Sequence, residues 1–236
     1  MSLRLIRIMK NPPPRSVIEE TIPGGWSERE LLLGDRTLRI LFPAVPDEFL
    51  EQLEDSTLSE QEADPYWAEL WPASLPLARL ILSANWRPGT PAIELGCGIG
   101  VAGLAGLIAG LDLLFTDRVE LAVDTAVENA HRNGCSRAAG LCLDWADPPR
   151  RQYPIILASD VLYDQALHTP LLNTIDAMLA PGGECWLGDP GRCAAVSFHE
   201  MAAGIDLSVS LRDAAGVTCT RFQTGEFRLL CLKRLT

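Results

Sequence analysis

The chain has 236 residues, 47% hydrophobic and 22% charged, which excludes a wholly disordered or fibrous protein and suffices for one substantial core plus an extension. The longest unbroken apolar run, residues 101–111, stops at Asp112, short of the roughly 20 residues that a membrane-spanning helix needs. With 20 Lys and Arg against 31 Asp and Glu the formal net charge is −11, so long-range repulsion opposes a nucleic-acid partner, and a basic protein or a cationic small molecule is easier to accommodate.

At the N-terminus Arg4, Arg7 and Lys10 interrupt the apolar residues of MSLRLIRIMK, so no signal-peptide core is expected there. The acidic stretch after Glu19 is unlike a mitochondrial presequence, and the expectation is a cytoplasmic protein. The seven cysteines form no CxxC pair, which predicts reduced, mostly buried thiols. His131, His168 and His199 are far apart in the sequence, so no metal site is expected. A monomer is expected as well.

The first 62 residues read as an extension. Pro12 to Pro14 and Pro23-Gly24-Gly25 precede two strand-like runs, Glu30 to Leu33 and Thr37 to Phe42, whose Gly34-Asp35-Arg36 connection predicts a hairpin. Residues 46–58 place Phe49, Leu50 and Leu53 at helical spacing and predict a short acidic helix.

From residue 63 to 236 strand-like runs alternate with helical patterns, the signal of an α/β domain with a doubly wound, seven-stranded, mostly parallel sheet. The expected strands are Ala92–Leu95, Leu111–Thr116, Gly140–Leu143, Ile155–Ser159 and Glu184–Gly188. Helices are expected over Val101–Gly110, Val119–Asn133 and Thr169–Leu179, with a turn at Pro181-Gly182-Gly183 after the last. Three further strands follow, Asp206–Arg212, Val217–Phe222 and Glu226–Leu232, the last two read as an antiparallel hairpin closing one edge.

The segment AIELGCGIGVAGLAG, residues 92–106, carries the strongest chemical signal: an apolar strand enters a glycine cluster and leaves as a small-residue helix. Glycine admits positive φ and brings bare amides close to a ligand, and the helix start offers unpaired N–H groups. Gly98, Gly100 and Gly103 satisfy GxGxxG literally, so a nicotinamide-dependent oxidoreductase has to be weighed. Glu94 argues against it, because a carboxylate before the loop repels a pyrophosphate and suits a cationic amino group. Asp117 ends the second strand, where it can accept from ribose hydroxyls or cap the next helix. Asp144 and Trp145 end the third, as an adenine-amino acceptor with a covering ring, or as a cap with a buried Trp. ILASDVLYD ends the fourth at Asp160 to Tyr163, where such sheets place reacting groups.

Glu94, Leu95, Gly96, Cys97, Gly98, Ile99 and Gly100 resemble motif I of the seven-strand methyltransferases that use S-adenosylmethionine. Asp160-Val161-Leu162-Tyr163 matches the DxxY signature of the group holding many protein-lysine methyltransferases, and ENAHRNG, residues 128–134, is similar to its NxxxNG helix ending. Trp71-Pro72-Ala73 is similar to that group's Trp-containing segment over the cofactor. Asp64-Pro65-Tyr66-Trp67 and Gly188-Asp189-Pro190-Gly191-Arg192 resemble the DPYW and GDPGR segments of the electron-transfer flavoprotein β-subunit lysine methyltransferase branch.

The resemblance implies an S-adenosyl-L-methionine cofactor held by Trp71, Glu94, Gly96, Cys97, Gly98, Gly100, Asp117, Asp144, Trp145 and Asp160. It implies Asp160 and Tyr163 at the reacting amine, and Tyr66, Trp67, Tyr163, Asp189 and Arg192 facing the substrate. The acceptor is expected to be a protein lysine, with a small molecule on the same fold as the alternative.

Overall fold

The computed structural model describes residues 22, 24–45, 65–205 and 207–234. The helix expected over residues 46–58, the N-terminal basic and proline-rich stretches, Asp64 and Asp206 lie outside the described residues.

β1, Trp26–Leu33, and β2, Arg36–Pro43, pair antiparallel from Trp26 opposite Pro43 to Leu33 opposite Arg36. Gly34 turns the chain at φ 66°, the positive value that a two-residue hairpin connection demands. The hairpin is longer than its apolar core because exposed Glu28, Arg29 and Glu30 extend the ladder.

The main sheet holds β3 (Pro91–Leu95), β4 (Asp112–Asp117), β5 (Ala139–Cys142), β6 (Tyr153–Ser159), β7 (Leu179–Asp189), β8 (Leu207–Arg212), β9 (Thr218–Cys219) and β10 (Arg228–Arg234). Their order across the sheet is β5-β4-β3-β6-β7-β10-β8-β9. β3 to β7 run parallel, and β10 is antiparallel to both of its neighbours. The helices are α1 (Ser74–Ser83), α2 (Val101–Ile108), α3 (Glu120–Arg132), α4 (His168–Met178) and α5 (Cys193–Ala203).

The central strands are apolar on both faces because helices cover both. Ala92, Leu113, Phe115 and Leu157 pack with Leu77, Ile81, Leu104, Val123 and Ala126 of α1 to α3. Ile93, Leu95, Ile156 and Ala158 pack with Leu171, Ile175, Phe198 and Ala202 of α4 and α5. The chain leaves β3 toward β4 on one side and reaches β6 on the other, so a crevice opens between the β3 and β6 carboxyl ends, where doubly wound sheets bind ligands.

The structure corrects several expectations. The last two segments do not form an edge hairpin: β10 inserts between β7 and β8, and β9 pairs with β8. The sheet has eight strands, one for each of the eight segments expected and one more than the seven-stranded total, and Val217–Phe222 contributes only the two-residue β9. Pro181-Gly182-Gly183 does not precede β7 but bulges within it, since Tyr153 and Ile155 of β6 pair with Leu179 and Glu184. The thiols are unbridged, but only Cys97, Cys185 and Cys231 are buried, because Cys142 and Cys193 lie at the exposed ends of elements. Among the described residues no helix is long and apolar enough to cross a membrane.

Candidate functional site

The crevice floor is the loop from β3 to α2. Gly98 takes φ 50°, and a Cβ there would stand 2.9 Å from the Trp67 carbonyl oxygen. Gly100 caps α2 at φ 82°, with a Cβ only 2.6 Å from that of Ala126. Both positions therefore demand glycine twice over, for backbone conformation and for space. Gly96 lies against Val161 and Trp145, so the loop after β3 touches the ends of β5 and β6.

Glu94 lies beneath this floor, 1% exposed, with Oε2 accepting the Gly103 N–H at 3.0 Å. Burial raises its pKa well above the usual carboxylate range, the Gly103 N–H opposes the rise and the Asp117 charge adds to it. Glu94 thus shapes the first turn of α2 from below, where the sequence reading set it against a ligand's amino group. Cys97 is likewise buried, and burial with the Asp117 and Glu94 charges pushes its thiol pKa well up, which makes it an inert packing group.

Asp117 closes β4 with its carboxylate divided between two amides. Oδ2 accepts from Gly98 N–H at 3.0 Å and Oδ1 from Val119 N–H at 3.1 Å. It therefore ties down the glycine loop and the entry to α3 together, and it remains partly exposed toward the crevice. Burial raises its pKa against these hydrogen bonds. Asp144 accepts from Ala146 N–H at 2.9 Å, and the Trp145 carbonyl is fixed by the Thr174 hydroxyl at 2.9 Å. The half-buried Trp145 ring meets Gly96, with Cζ2 3.3 Å from a Cβ placed there.

Asp160 is 5% exposed and is the one non-glycine residue at positive φ among the described residues, at 62°. Aspartate tolerates this region better than most residues, and its cost is usually met where geometry serves a site. Its Oδ2 accepts from Ala73 N–H at 2.9 Å and from the Ser159 hydroxyl at 3.2 Å, and Oδ1 pairs with Arg192 Nη2 at 2.9 Å. Burial raises the Asp160 pKa, with the Arg192 charge the chief opposing influence.

Arg192 also reaches Asp189 Oδ2 at 3.1 Å, and its guanidinium lies 6.0 Å from the Trp71 ring centre. Asp189 Oδ1 accepts the N–H groups of Gly191 and Arg192, both at 2.7 Å. Asp189 is 0% exposed and holds Arg192 in place, where the sequence reading faced it toward the substrate.

Near Asp160 in the chain or through Arg192 come half-buried Trp71, Tyr66 at 61% exposure and Tyr163 at 51%. Trp71 Nε1 donates to the Tyr66 carbonyl at 2.8 Å, and the two rings are 6.2 Å apart. Trp67 does not join them: it is buried against Trp26 of β1, ring centres 6.4 Å apart, and presents its carbonyl to Gly98. An aromatic dipeptide gives no sign of which ring turns inward. Ala73, Ser159 and Thr174 escape a sequence reading because backbone and hydroxyl partners leave no sequence pattern.

Likeness to known proteins decides the family. The family model described as "Lysine methyltransferase" matches residues 52–192. The chain belongs to the lysine methyltransferase family. Electron transfer flavoprotein beta subunit lysine methyltransferase of Danio rerio is 27% identical over 132 residues, 55% of this chain and 51% of that protein. EEF1A lysine methyltransferase 3 of Mus musculus is 30% identical over 132 residues, 53% of this chain and 56% of that protein. The chain spans about half the length of the curated relatives it matches. Among solved structures, the N-methyltransferase NodS of Bradyrhizobium japonicum in complex with S-adenosyl-l-homocysteine has a TM-score of 0.55 at 19% identity, covering 79% of this chain and 97% of that one. The fold of this lysine methyltransferase family member is that of the S-adenosylmethionine-dependent methyltransferases.

Proposed function

We propose that the chain transfers a methyl group from S-adenosylmethionine to the side-chain amine of a protein lysine. The observation that carries this reading is the buried Asp160, held at positive φ beside the glycine loop and paired with an Arg192 that lies over the Trp71 ring. The sulfonium cofactor supplies an already activated methyl group, so alignment and exclusion of water are what remains for the protein.

The residues present fit such a group. Gly96, Gly98 and Gly100 leave a cradle without side chains, the partly exposed Asp117 carboxylate suits ribose hydroxyls, and Asp144 with Trp145 suits an adenine amino group and its face. Trp71 would cover the reacting end. Glu94 and Cys97 act from beneath, through the shape of the loop.

A lysine amine must shed its proton before it can act as a nucleophile, since its reference pKa is about 10.4. Apolar surroundings lower that value, and Trp71, Tyr66 and Tyr163 provide them at the crevice mouth. Asp160 orients the amine and receives its hydrogen bond, Tyr163 positions the same group, and the Arg192 charge opposes the burial that raises the Asp160 pKa. The charge of −11 favours a basic patch on the partner. The reading retains a cytoplasmic protein, on the N-terminal sequence, and a monomer.

The test is transfer of radiolabelled methyl from S-adenosylmethionine into a cell lysate, with Asp117→Ala as the blank. Label on lysine in a discrete protein band is expected. Label confined to small molecules would overturn the lysine acceptor, and no transfer at all would overturn the activity.

A further inference from the structure

The sequence pattern NxxxNG and the N-terminal hairpin meet in a contact with consequences for the cofactor loop. β2 is an edge strand, and its N–H groups at Arg39 and Leu41 point away from β1 toward α3. Asn133 Oδ1 accepts the Arg39 N–H at 2.9 Å and its Nδ2 donates to the Arg39 carbonyl at 2.7 Å, as a strand neighbour would. Asn129 Oδ1 accepts the Leu41 N–H at 2.7 Å. Two strand residues span about 6.7 Å and four helix residues rise about 6 Å, so asparagines four apart match alternate strand positions. The helix then stops cleanly: Gly134 N–H donates to the His131 carbonyl and Cys135 N–H to the Ala130 carbonyl, with Gly134 at φ 84°.

Asn129 does more than cover an edge. It is 0% exposed, and its Nδ2 donates to the Ile99 carbonyl at 2.9 Å, inside the glycine loop. The Leu41 N–H is a donor and can face only the amide oxygen, which directs the amide nitrogen to Ile99. β1 reaches the same loop from another side, through Trp26 against Trp67 and the Trp67 carbonyl over Gly98.

We infer that the N-terminal hairpin is part of the cofactor site, and that Asn129 is a positioning residue through which β2 sets the path of the Ile99–Gly100 backbone. The inference rests on the cofactor reading above for its functional meaning, but the mechanical coupling exists without any ligand. Buried polar groups left unpaired are costly, so losing either hydrogen bond frees the loop to relax.

Leu41→Pro removes the N–H together with the leucine side chain at an edge position, Leu41→Ala cuts the side chain but keeps that N–H, and Asn129→Ala removes both hydrogen bonds. Amide hydrogen exchange at residues 98–103 of the ligand-free full chain is expected to be about tenfold faster in Leu41→Pro and Asn129→Ala and unchanged in Leu41→Ala. The S-adenosylhomocysteine dissociation constant is expected to rise about tenfold in the same two variants. Equal loop exchange in all proteins, or Leu41→Ala matching Leu41→Pro, would overturn the inference. Should Asn129→Ala fail to fold, the Leu41 pair still decides. A wild-type chain that bound no S-adenosylhomocysteine would sink the cofactor reading, while the exchange comparison would still decide whether the hairpin sets the loop.

Discussion

Asp117 and Asp160 stand at strand ends on either side of β3, and burial raises the pKa of both, yet their partners differ in kind. Asp117 is held by the backbone amides of Gly98 and Val119. Asp160 is held on one oxygen by a guanidinium that is itself anchored to a third carboxylate, and on the other by Ala73 N–H and the Ser159 hydroxyl. On the proposed reading the cofactor side is therefore set by the path of the main chain, which cannot leave. The proposed acceptor side is set by side chains from separate segments beside the single amide of Ala73, and an incoming cation can compete with the Arg192 side chain. A site that binds one constant cofactor and one changing partner gains from this division.

The largest effect expected is on the acceptor side. Asp160→Asn keeps the shape but removes the charge that orients the amine, and turnover should fall about 1,000-fold, within the range that positioned acid–base groups supply. S-adenosylhomocysteine affinity, read by titration calorimetry, should change less than about threefold. A parallel loss of affinity would move Asp160 to the cofactor side and break the comparison.

Asp117→Ala should show the reverse. It removes two charge-assisted hydrogen bonds from the loop along with the proposed ribose contact, so cofactor affinity should fall about 100-fold. Unaltered affinity would remove Asp117 from the site. Arg192→Gln probes the removable partner: it leaves Asp160 and Asp189 facing each other without the intervening charge. Because Arg192 is partly exposed, a stability loss of about 1–2 kcal/mol is expected, less than for a fully buried pair. Turnover should fall about tenfold and recover in part in Arg192→Lys, as positioning by charge implies. No recovery would mean that the planar fork itself is required.

The same division accounts for what the sequence disclosed. The glycine loop and the strands before Asp117 and Asp160 are legible because local chain path writes itself into glycine spacing and into apolar runs buried on both faces. The strand order is not, since nothing local in residues 228–234 says that β10 passes between β7 and β8; the Gly-containing turn at 223–225 suggests a hairpin instead. α5 escapes the pattern because two of its three buried residues, Ala195 and Ala202, are small and leave only Phe198 to mark the inward face. Asp189 looks like a surface group at a strand end, but its burial depends on Arg192 folding back over it. Asn129 and Asn133 are visible as a motif, and their physical meaning needs the partner strand.

Glu94 offers the finest test, because it is a carboxylate of the cofactor side with no cation among the causes that shift its pKa. Its folded pKa lies above the unfolded value of about 4.3, so the native state keeps its proton where the unfolded state has lost it. That stabilisation is fully present below the unfolded value and is lost as pH rises through the folded one. Glu94→Gln carries no titrating proton and keeps an oxygen for Gly103 N–H, so its Tm should gain on the wild type as pH rises from about 4.5 toward 8. Each kcal/mol of stabilisation lost by the wild type corresponds to about 2–4 °C in a chain of this length. A Tm difference that stayed flat with pH would mean that Glu94 is a normally ionised cap of the α2 first turn. The main chain around the loop would then stabilise a buried anion as well as it holds Asp117, and the cofactor side would be even less dependent on counter-charges than the contrast with Asp160 requires.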